Sequence, residues 1–424
     1  MARKMKDSGI EWIGEIPEGW EVGQIGQLYS ERRTKVSDKD YPPLSVTMKG
    51  ILPQLSTAAK TDAHDDRKLV CKGDFAINSR SDRRGSCGIS KQDGSISLIN
   101  TVLQPRGEMN PGYYNWLFHT SMFADEFYKW GHGIVDDLWT TGWSDMKKIG
   151  VPVPSKCEQK QLAEHLNVEC SHIDSILSKT RASIEEYKKL KQAVITQAVT
   201  KGVRGKREMK DSGVDYIGQI PAKWVLGKLR NVGDTQNGIS KSSEFFGKGF
   251  PFVSYSDVYK NYSLPFAVSG LVESTPEEQE RYSVKEGDIF FTRTSETIEE
   301  VGFSCVCEKD IPNATFAGFL IRVRPFSDRL YTPYAKYYFR STHLRFYLVK
   351  EMNLVTRASL GQSLLKSMPV LLPPLEEQKE IANYLDAKCA EIDRLIAKKE
   401  QLVKELESYK KGLIYEVVTG KREV

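Results

Sequence analysis

The chain contains 424 residues, of which 40% are hydrophobic and 10% aromatic, so it is too long for one core and fits two globular domains with connectors. Its net charge of +5 permits a nucleic acid partner but does not require one. No run approaches the roughly 20 apolar residues that span a bilayer, and residues 1–7 are charged and lack a signal-peptide pattern, so we expect a cytoplasmic protein without membrane contact.

The seven cysteines are odd in number and scattered, which is unlike a disulfide framework. Cys305 and Cys307 form a CxC pair, with no second pair and no histidine near them in the sequence. A metal site at this pair is the weaker alternative. We expect small buried thiols in a reducing compartment and no metal.

A short motif opens each half of the chain. Residues 5–20 read MKDSGIEWIGEIPEGW and residues 209–224 read MKDSGVDYIGQIPAKW, with ten of sixteen positions identical. A second repeat begins at Pro154 and at Pro373 and continues without a gap. The offset between copies grows from 204 to 219, so the segment between the repeats is 15 residues longer in the second copy. The order is therefore variable block, shared block, variable block, shared block.

The variable blocks show short strand-like runs followed by one helical stretch each, which predicts mixed α/β (α+β) domains. The strand candidates of the first block are residues 75–77, 88–90 and 97–99, and its helix covers residues 113–130. Those of the second block are residues 250–255, 288–292, 302–307 and 319–323, and its helix covers residues 334–351. The aromatic residues of this last helix are interpreted as core, with a base-stacking platform as the alternative: Tyr334, Tyr337, Tyr338, Phe346 and Tyr347.

The shared blocks predict two long helices. Residues 158–200 contain no proline or glycine, and residues 376–419 contain no proline and a single glycine, Gly412. Proline precedes each start, and Gly202 and Gly420 follow the ends, as helix termini favour. At 1.5 Å per residue, about 40 residues give rods of roughly 60 Å.

Apolar residues recur along each long helix at alternating steps of three and four, which is the a/d pattern of a coiled coil. So narrow an apolar face must pack against a second helix, and the other long helix of the same chain carries the matching face. We predict an intramolecular antiparallel coiled coil, with two unrelated surface helices as the alternative. The interface residues are Leu166, Ile173, Leu177, Ile184, Tyr187 and Val194 on the first helix, and Leu385, Ile392, Ile396, Val403, Leu406 and Leu413 on the second.

The repeats also set the predicted domain boundaries. Residues 1–154 form the first globular domain, 155–205 the central helix, 206–372 the second globular domain and 373–424 the C-terminal helix. Residues 420–424 read GKREV, close to the GKREM that leads into the second opening motif. The C-terminus therefore stops where another copy would begin, which predicts a pseudo-two-fold internal repeat.

The sequence lacks recognisable catalytic signatures. It contains no G-x-x-x-x-G-K-[ST] phosphate loop, no G-x-G-x-x-G opening a helix and no Asn/Asp-Pro-Pro-aromatic motif. Its six histidines form no metal-binding pattern. We predict no catalytic residue and no cofactor in this chain.

The motifs resemble those of type I restriction-modification specificity subunits. The shared features are S-G-[IV]-x-[WY]-I-G-x-I-P-x-x-W, the helix start E-Q-x-x-[IL]-A-x-x-L after proline, and their repetition along the whole chain. The resemblance implies that each variable block is a target recognition domain reading one half of a bipartite double-stranded DNA site in the major groove.

The resemblance also implies partner proteins. The helices would set the spacing between the half-sites and dock two methyltransferase (M) subunits, and restriction/translocase (R) subunits would join for cleavage. S-adenosylmethionine, ATP and Mg would belong to those partners and not to this chain.

Polar loops supply the candidate DNA contacts. Arg80, Arg83 and Arg84 lie in a turn after a strand, where guanidinium groups reach phosphates or guanine edges; a solvated basic loop is the equal alternative. Arg293 and Thr294 occupy the corresponding place in the second block. Loops before the long helices add further candidates, with turns at the core edge as the alternative: Trp139, Thr140, Thr141, Trp143, Ser144, Arg357 and Ser359.

Two other functions fit parts of the pattern. The first is a methyltransferase or nuclease that carries its own recognition domains, which the missing motifs oppose. The second is a coiled-coil scaffold that never reads DNA. A scaffold leaves unexplained why two diverged globular blocks sit on matched helices.

Overall fold

The computed structural model describes residues 3–54, 65–107, 109–133, 139–295, 301–351 and 358–424. The chain folds as two compact units: unit 1 is Met1–Arg181 with Glu400–Val424, and unit 2 is Ala182–Lys399. Each unit mixes helices with sheets and includes part of both long helices. The predicted mixed α/β class is therefore confirmed.

Unit 1 consists of small antiparallel sheets and short helices. Its elements in chain order are β1 (Met5–Asp7), β2 (Glu15–Pro17), β3 (Glu21–Gln24), α1 (Ile25–Leu28), β4 (Tyr29–Glu31), β5 (Lys35–Val36), β6 (Leu44–Thr47), β7 (Gly50–Pro53), β8 (Arg67–Val70), β9 (Phe75–Asn78), β10 (Cys87–Ile89), β11 (Gly94–Ile96), β12 (Asn100–Pro105), α2 (Pro111–Phe118), α3 (Ser121–Lys129), α4 (Trp143–Met146), β13 (Gly150–Val153) and the start of α5 (Lys156–Lys201). The central sheet has the order β10-β9-β12-β4, and β3 pairs with β13, the strand that directly precedes α5 in the chain.

Unit 2 repeats this plan, with thirteen strands among the described residues, as in unit 1. Its elements are β14 (Met209–Asp211), β15 (Gln219–Pro221), β16 (Val225–Lys228), β17 (Gly233–Asn237), β18 (Phe246–Val253), α6 (Tyr255–Lys260), β19 (Leu271–Val272), α7 (Pro276–Arg281), β20 (Ile289–Thr292), β21 (Thr294–Ser295), β22 (Ser304–Val306), β23 (Thr315–Phe316), β24 (Leu320–Pro325), α8 (Thr332–Tyr338), α9 (Thr342–Glu351), β25 (Ala358–Ser359), α10 (Gln362–Ser367), β26 (Pro369–Leu372) and the start of α11 (Leu375–Val418). Its central sheet, β17-β24-β20-β22, has the same order as β4-β12-β9-β10 of unit 1. The two units therefore share one fold.

Some predicted elements are wrong in detail. Residues 97–99 form a turn, because the Asn100 N–H donates to the Ser97 carbonyl at 3.1 Å. The single helix expected at 113–130 is two helices, since α2 ends at Phe118 and Thr120 begins α3 by accepting from the Phe123 N–H. The stretch at 334–351 is likewise divided into α8 and α9. Short polar side chains that bond to their own backbone interrupt an apolar helical pattern in this way.

One core in each unit joins the globular body to the long helices. In unit 1 the rings of Trp20, Tyr113 and Phe118 are in the same buried cluster as Leu166 of α5 and Val417 of α11. The corresponding unit 2 cluster includes the buried Tyr334, Tyr337 and Tyr338, so three of the five predicted core aromatics are confirmed. Phe346 is exposed and Tyr347 is only partly buried.

The long helices pair with each other in antiparallel directions. In unit 1, Lys410 of α11 contacts Asp174 of α5 at 2.6 Å, and Glu407 contacts Arg181, seven residues further along α5. In unit 2, Lys191 contacts Asp393 at 2.7 Å. The residue numbers of the contacts rise along α5 while those of their partners fall along α11, which confirms the predicted antiparallel pair. Exposed ion pairs contribute at most about 1 kcal/mol each, so the apolar face supplies most of the stability.

A glutamate at the start of each long helix holds the opening motif. Trp20 donates its indole N–H to Glu158 at 3.1 Å, and Trp224 donates to Glu377 at 3.0 Å. An arginine also binds each carboxylate and lies over the same indole ring, Arg3 at 5.4 Å from the ring of Trp20 and Arg207 at 5.3 Å from that of Trp224. The repeated tryptophan and the repeated glutamate are therefore two parts of one contact.

The glutamine that follows each of these glutamates joins the helix start to a neighbouring loop. Gln159 donates to the Pro154 carbonyl and accepts from the Asn110 N–H, both at 2.8 Å. Gln378 makes the equivalent bonds to the Pro373 carbonyl at 2.9 Å and the Tyr331 N–H at 2.8 Å. Both amides are buried, where an unpaired polar group costs about 1–3 kcal/mol.

The seven cysteines are free thiols, and five of them are buried. Burial raises the pKa of the Cys307 thiol to about 12, which keeps it protonated near neutral pH. The five buried cysteines therefore act as small apolar side chains, whereas Cys71 is partly buried and Cys157 is exposed.

Replacing Glu377 by alanine should destabilise the protein more than the same change at Glu158. The Glu377 side chain is 4% exposed and that of Glu158 is 32% exposed, so only the first substitution removes a buried carboxylate, which is the partner of the Trp224 indole and of the Arg207 guanidinium. We expect E377A to lower the free energy of unfolding by about 3 kcal/mol and E158A by about 1 kcal/mol. Urea denaturation followed by circular dichroism measures both, and equal losses would contradict burial as the cause.

Candidate nucleic-acid interface

Two loops that are distant in the sequence of unit 1 meet at the end of β9. They are residues 79–84 and residues 139–144, and together we call them the unit 1 loop surface. Arg80 and Thr140 form an antiparallel bridge, and a backbone hydrogen bond of 2.9 Å closes each side of it. The structure thus brings together the two groups of residues predicted as DNA contacts in the first block.

The same connection recurs in unit 2, where β21 pairs with β25 and Thr294 lies opposite Ser359. Arg293, directly before β21, accepts a hydrogen bond on its carbonyl from the Leu360 N–H at 2.7 Å. We call Arg293, β21, β25 and Leu360 the unit 2 loop surface. The predicted contact Arg357 lies outside the described residues.

The three arginines of the unit 1 loop surface differ in how far they are available to a ligand. The Arg83 side chain is 69% exposed and that of Arg80 is partly exposed, and both lie 3.8 Å from Asp82. Arg84 binds Asp125 and lies 5.4 Å from an aromatic ring of α3. Arg83 is therefore the guanidinium most accessible to an incoming phosphate or base edge.

The second loop of this surface contains both anchoring and exposed residues. Thr141 is buried and donates its hydroxyl to a carbonyl of α3 at 2.8 Å, and Trp143 packs against the core. Trp139 is partly buried, and Thr140 and Ser144 are exposed. A hydrogen bond from Lys148 lowers the pKa of the neighbouring Asp145, so a carboxylate lies at the edge of the loop.

Polar residues of unit 2 that no sequence motif indicated lie close to its loop surface in the chain and in the fold. Gln362, three residues after Ser359, donates to the Asn237 side chain at 3.0 Å and accepts from Thr235 at 2.8 Å. In unit 2, Arg293 and Thr294 are partly buried and Ser359 is exposed. Isolated glutamine and asparagine residues carry no spacing signal, which is why only the fold reveals them.

The residues predicted for the helix interface form the apolar face of each long helix, and this face is at least partly buried. Leu166, Ile173, Leu177, Ile184, Leu385, Ile392 and Leu413 are buried, and Tyr187, Val194, Ile396, Val403 and Leu406 are partly buried. Outside this face, Leu190 of α5 and Tyr409 of α11 are each about half exposed. They are equivalent positions of the repeat, at the offset of 219.

In the ranges that the structure describes, no group of three or more His, Cys, Asp or Glu residues could hold a metal ion. None of the helices in those ranges is long and apolar enough to cross a membrane.

Part of the chain matches a known protein family, and curated proteins are similar to most of its length. Residues 221–406 match the family described as the type I restriction modification DNA specificity domain. The specificity subunit of the MjaVIII type I restriction enzyme of Methanocaldococcus jannaschii is 26% identical and aligns with 96% of this chain and 93% of its own length. The EcoKI specificity subunit of Escherichia coli K12 is also 26% identical, over 90% of this chain and 84% of its own length.

Solved structures share the fold over nearly the whole chain. A chain from a study of complex assembly and conformational transition of the type I R-M system has a TM-score of 0.75 at 15% identity, covering 96% of this chain and 99% of that one. The HsdS subunit from Thermoanaerobacter tengcongensis has a TM-score of 0.54 at 17% identity, covering 96% and 98%. In its duplicated units, paired helices and repeated motifs, the chain is similar to the specificity subunits of type I restriction-modification systems over nearly its whole length.

Proposed function

We propose that this chain is the DNA-recognition subunit of a type I restriction-modification enzyme. Each unit reads one half of a bipartite double-stranded DNA target, and M and R subunits carry out methylation and cleavage. The observation that carries the proposal is the loop surface, which has the same backbone connection in both units and different side chains on it.

The equivalence of the two loop surfaces follows from their hydrogen bonds. The Ser79 carbonyl accepts from the residue after Thr140, and the Arg293 carbonyl accepts from the residue after Ser359. Position by position, unit 1 therefore has serine and arginine where unit 2 has arginine and threonine. One backbone with two sets of polar side chains suits the reading of two different base sequences.

The arginines suit DNA because a guanidinium binds phosphates and the O6 and N7 atoms of guanine in a bidentate manner. We assign Arg80, Arg83, Thr140, Ser144, Arg293, Thr294 and Ser359 to contact with DNA, and Thr141 and Trp143 to anchoring the loop. Arg84 reaches DNA only by releasing Asp125.

The long helices are the proposed docking elements for two M subunits. Leu190 and Tyr409 present an apolar side chain at equivalent points of α5 and α11, which provides one matched contact for each copy of a partner. S-adenosylmethionine, ATP and Mg belong to the partners in this proposal, and the complex acts on DNA in the cytoplasm.

Co-expression with an M subunit that co-purifies with this chain tests the proposal. In a host that lacks other DNA methylation, we expect long-read methylome sequencing to show one bipartite motif that disappears when this chain is omitted. The purified chain alone should transfer no methyl groups to DNA above background. Methylation by the isolated chain, or the same motif without it, would reject the proposal.

The Arg83→Ala variant should weaken recognition of the first half-site only. Loss of a base contact should cost about 1–3 kcal/mol and relax specificity at one position, whereas loss of a phosphate contact should weaken binding to all sequences evenly. Arg80→Ala is expected to act in the same direction. Arg33→Ala is the matched control, since Arg33 is also exposed but lies outside the loop surface. Wild-type affinity and selectivity in the Arg80 and Arg83 variants would support a solvated basic loop instead.

Lengthening both helices should widen the gap between the half-sites. Seven added residues in α5 and in α11 preserve the a/d pattern and lengthen each helix by roughly 10 Å, which is on the order of three base pairs at about 3.4 Å each. We expect unchanged half-sites and a longer gap in the methylome. A seven-residue insertion in one helix alone is the control, and an unchanged gap with altered half-sites would contradict a spacing role.

A further inference from the structure

A tight turn with an apolar tip adjoins the loop surface in both units. In unit 1 the Asn100 N–H donates to the Ser97 carbonyl at 3.1 Å, and in unit 2 the Leu320 N–H donates to the Ala317 carbonyl at 2.9 Å. The third residue of the turn is Ile99 in unit 1 and Phe319 in unit 2. The two turns occupy the same place, directly before β12 and β24, which are equivalent strands of the central sheets.

The turn tips are exposed although the residues that follow them are buried. Phe319 is 65% exposed and Ile99 is 43% exposed, whereas Leu320 and Asn100 are buried. A single exposed apolar residue is common on protein surfaces and needs no explanation by itself. Here the exposure recurs at the same position of two units whose sequences in this region differ, and that recurrence is the observation to explain.

Backbone hydrogen bonds attach each tip to the loop surface. The Phe319 carbonyl accepts from the Arg293 N–H at 2.9 Å, and the Ile99 carbonyl accepts from the Ser79 N–H at 3.2 Å. In unit 2 the Gly318 N–H also donates to the Ile239 carbonyl at 2.8 Å. The apolar tip is therefore held beside residues proposed to contact DNA, at little further cost in backbone entropy on binding.

We infer that Phe319 and Ile99 each contact the C5-methyl group of a thymine in the half-site that their unit reads. This inference rests on the proposed function and adds the apolar part of recognition to it. In the major groove the thymine methyl is the apolar feature that distinguishes a T·A pair, and apolar side chains contact it. Polar groups such as those of Arg293, Thr294 and Ser359 read the hydrogen-bonding edges of bases but not the methyl.

The surroundings favour this ligand over the two alternatives. The core of a protein-docking site is a contiguous apolar patch, whereas the neighbours of Phe319 on the loop surface are arginine, threonine and serine. Apolar wedges that separate base steps act from the minor groove, whose pattern of donors and acceptors is degenerate. Arginine, threonine and serine beside the tip suit the major groove.

The chain provides a matched control for Phe319. Phe326 is also 65% exposed but follows the opposite end of the same strand, β24. Phe319→Ala and Phe326→Ala therefore remove the same side chain with the same exposure, one beside the loop surface and one away from it. Neither residue is part of the buried core, so both variants should fold and assemble with M subunits like the wild type.

The experiment uses the complex of this chain with its M subunits and duplexes carrying the motif found in the methylome. Each thymine of the motif is replaced in turn by deoxyuridine, which lacks the methyl group, and the Kd is measured by fluorescence anisotropy at fixed salt. We expect the wild type and Phe326→Ala to lose about fivefold in affinity at one thymine of the unit 2 half-site. Phe319→Ala should bind the thymine duplex about fivefold more weakly and be insensitive to deoxyuridine there. Ile99→Ala should show the same insensitivity in the other half-site.

The outcomes separate this inference from the proposed function. A wild-type complex that prefers no sequence would reject the proposed function itself. A wild-type complex that reads its motif but binds thymine and deoxyuridine duplexes equally would overturn only the methyl contact, as would Phe319→Ala retaining wild-type sensitivity. Failure of Phe319→Ala, but not Phe326→Ala, to co-elute with M subunits before DNA is added would show that the tip docks protein.

Discussion

A carboxylate and an amide at the start of each long helix connect the globular body to the helix, and the rest of each unit depends on this connection. In unit 2, Glu377 binds Trp224 and Arg207 while Gln378 binds the loop before α8. These polar groups are buried, so water cannot replace a lost partner, and the bonds are costly to leave unmade. Unit 1 repeats the pair with a buried Gln159 that makes the equivalent bonds and with Glu158, which is 32% exposed.

Each body is also bonded to the end of the other long helix. Tyr113 of unit 1 donates its hydroxyl to the Val418 carbonyl of α11 at 2.6 Å, and Tyr334 of unit 2 lies 3.4 Å from the Val199 carbonyl of α5. The last carbonyls of a helix have no partner within the helix, and these hydroxyls supply one. Because each unit contacts both helices, the pairing of the helices and the folding of each body are stabilised together.

These contacts within each unit explain how the loop surfaces differ without a change of fold. Backbone hydrogen bonds hold the loops, and buried residues such as Thr141 anchor them, so the exposed positions are under little structural constraint. Arg83 exposes a charged guanidinium group, whereas Phe319 exposes an apolar ring. Substitution at such positions alters what a unit contacts and leaves the core unchanged.

The sequence by itself determined the duplication, the two long helices, their antiparallel pairing and the resemblance to a known family. Repeats and helical periodicity are properties of neighbouring residues in the chain, so they can be read without a structure. The tertiary structure decided which loops meet, because the bridge between Arg80 and Thr140 joins segments that share no sequence signal. It also decided that residues 97–99 form a turn, that Thr141 is buried and that Phe319 is exposed. The sequence around an apolar or hydroxyl side chain can be the same whether that side chain is buried or exposed, so the sequence could not decide these points.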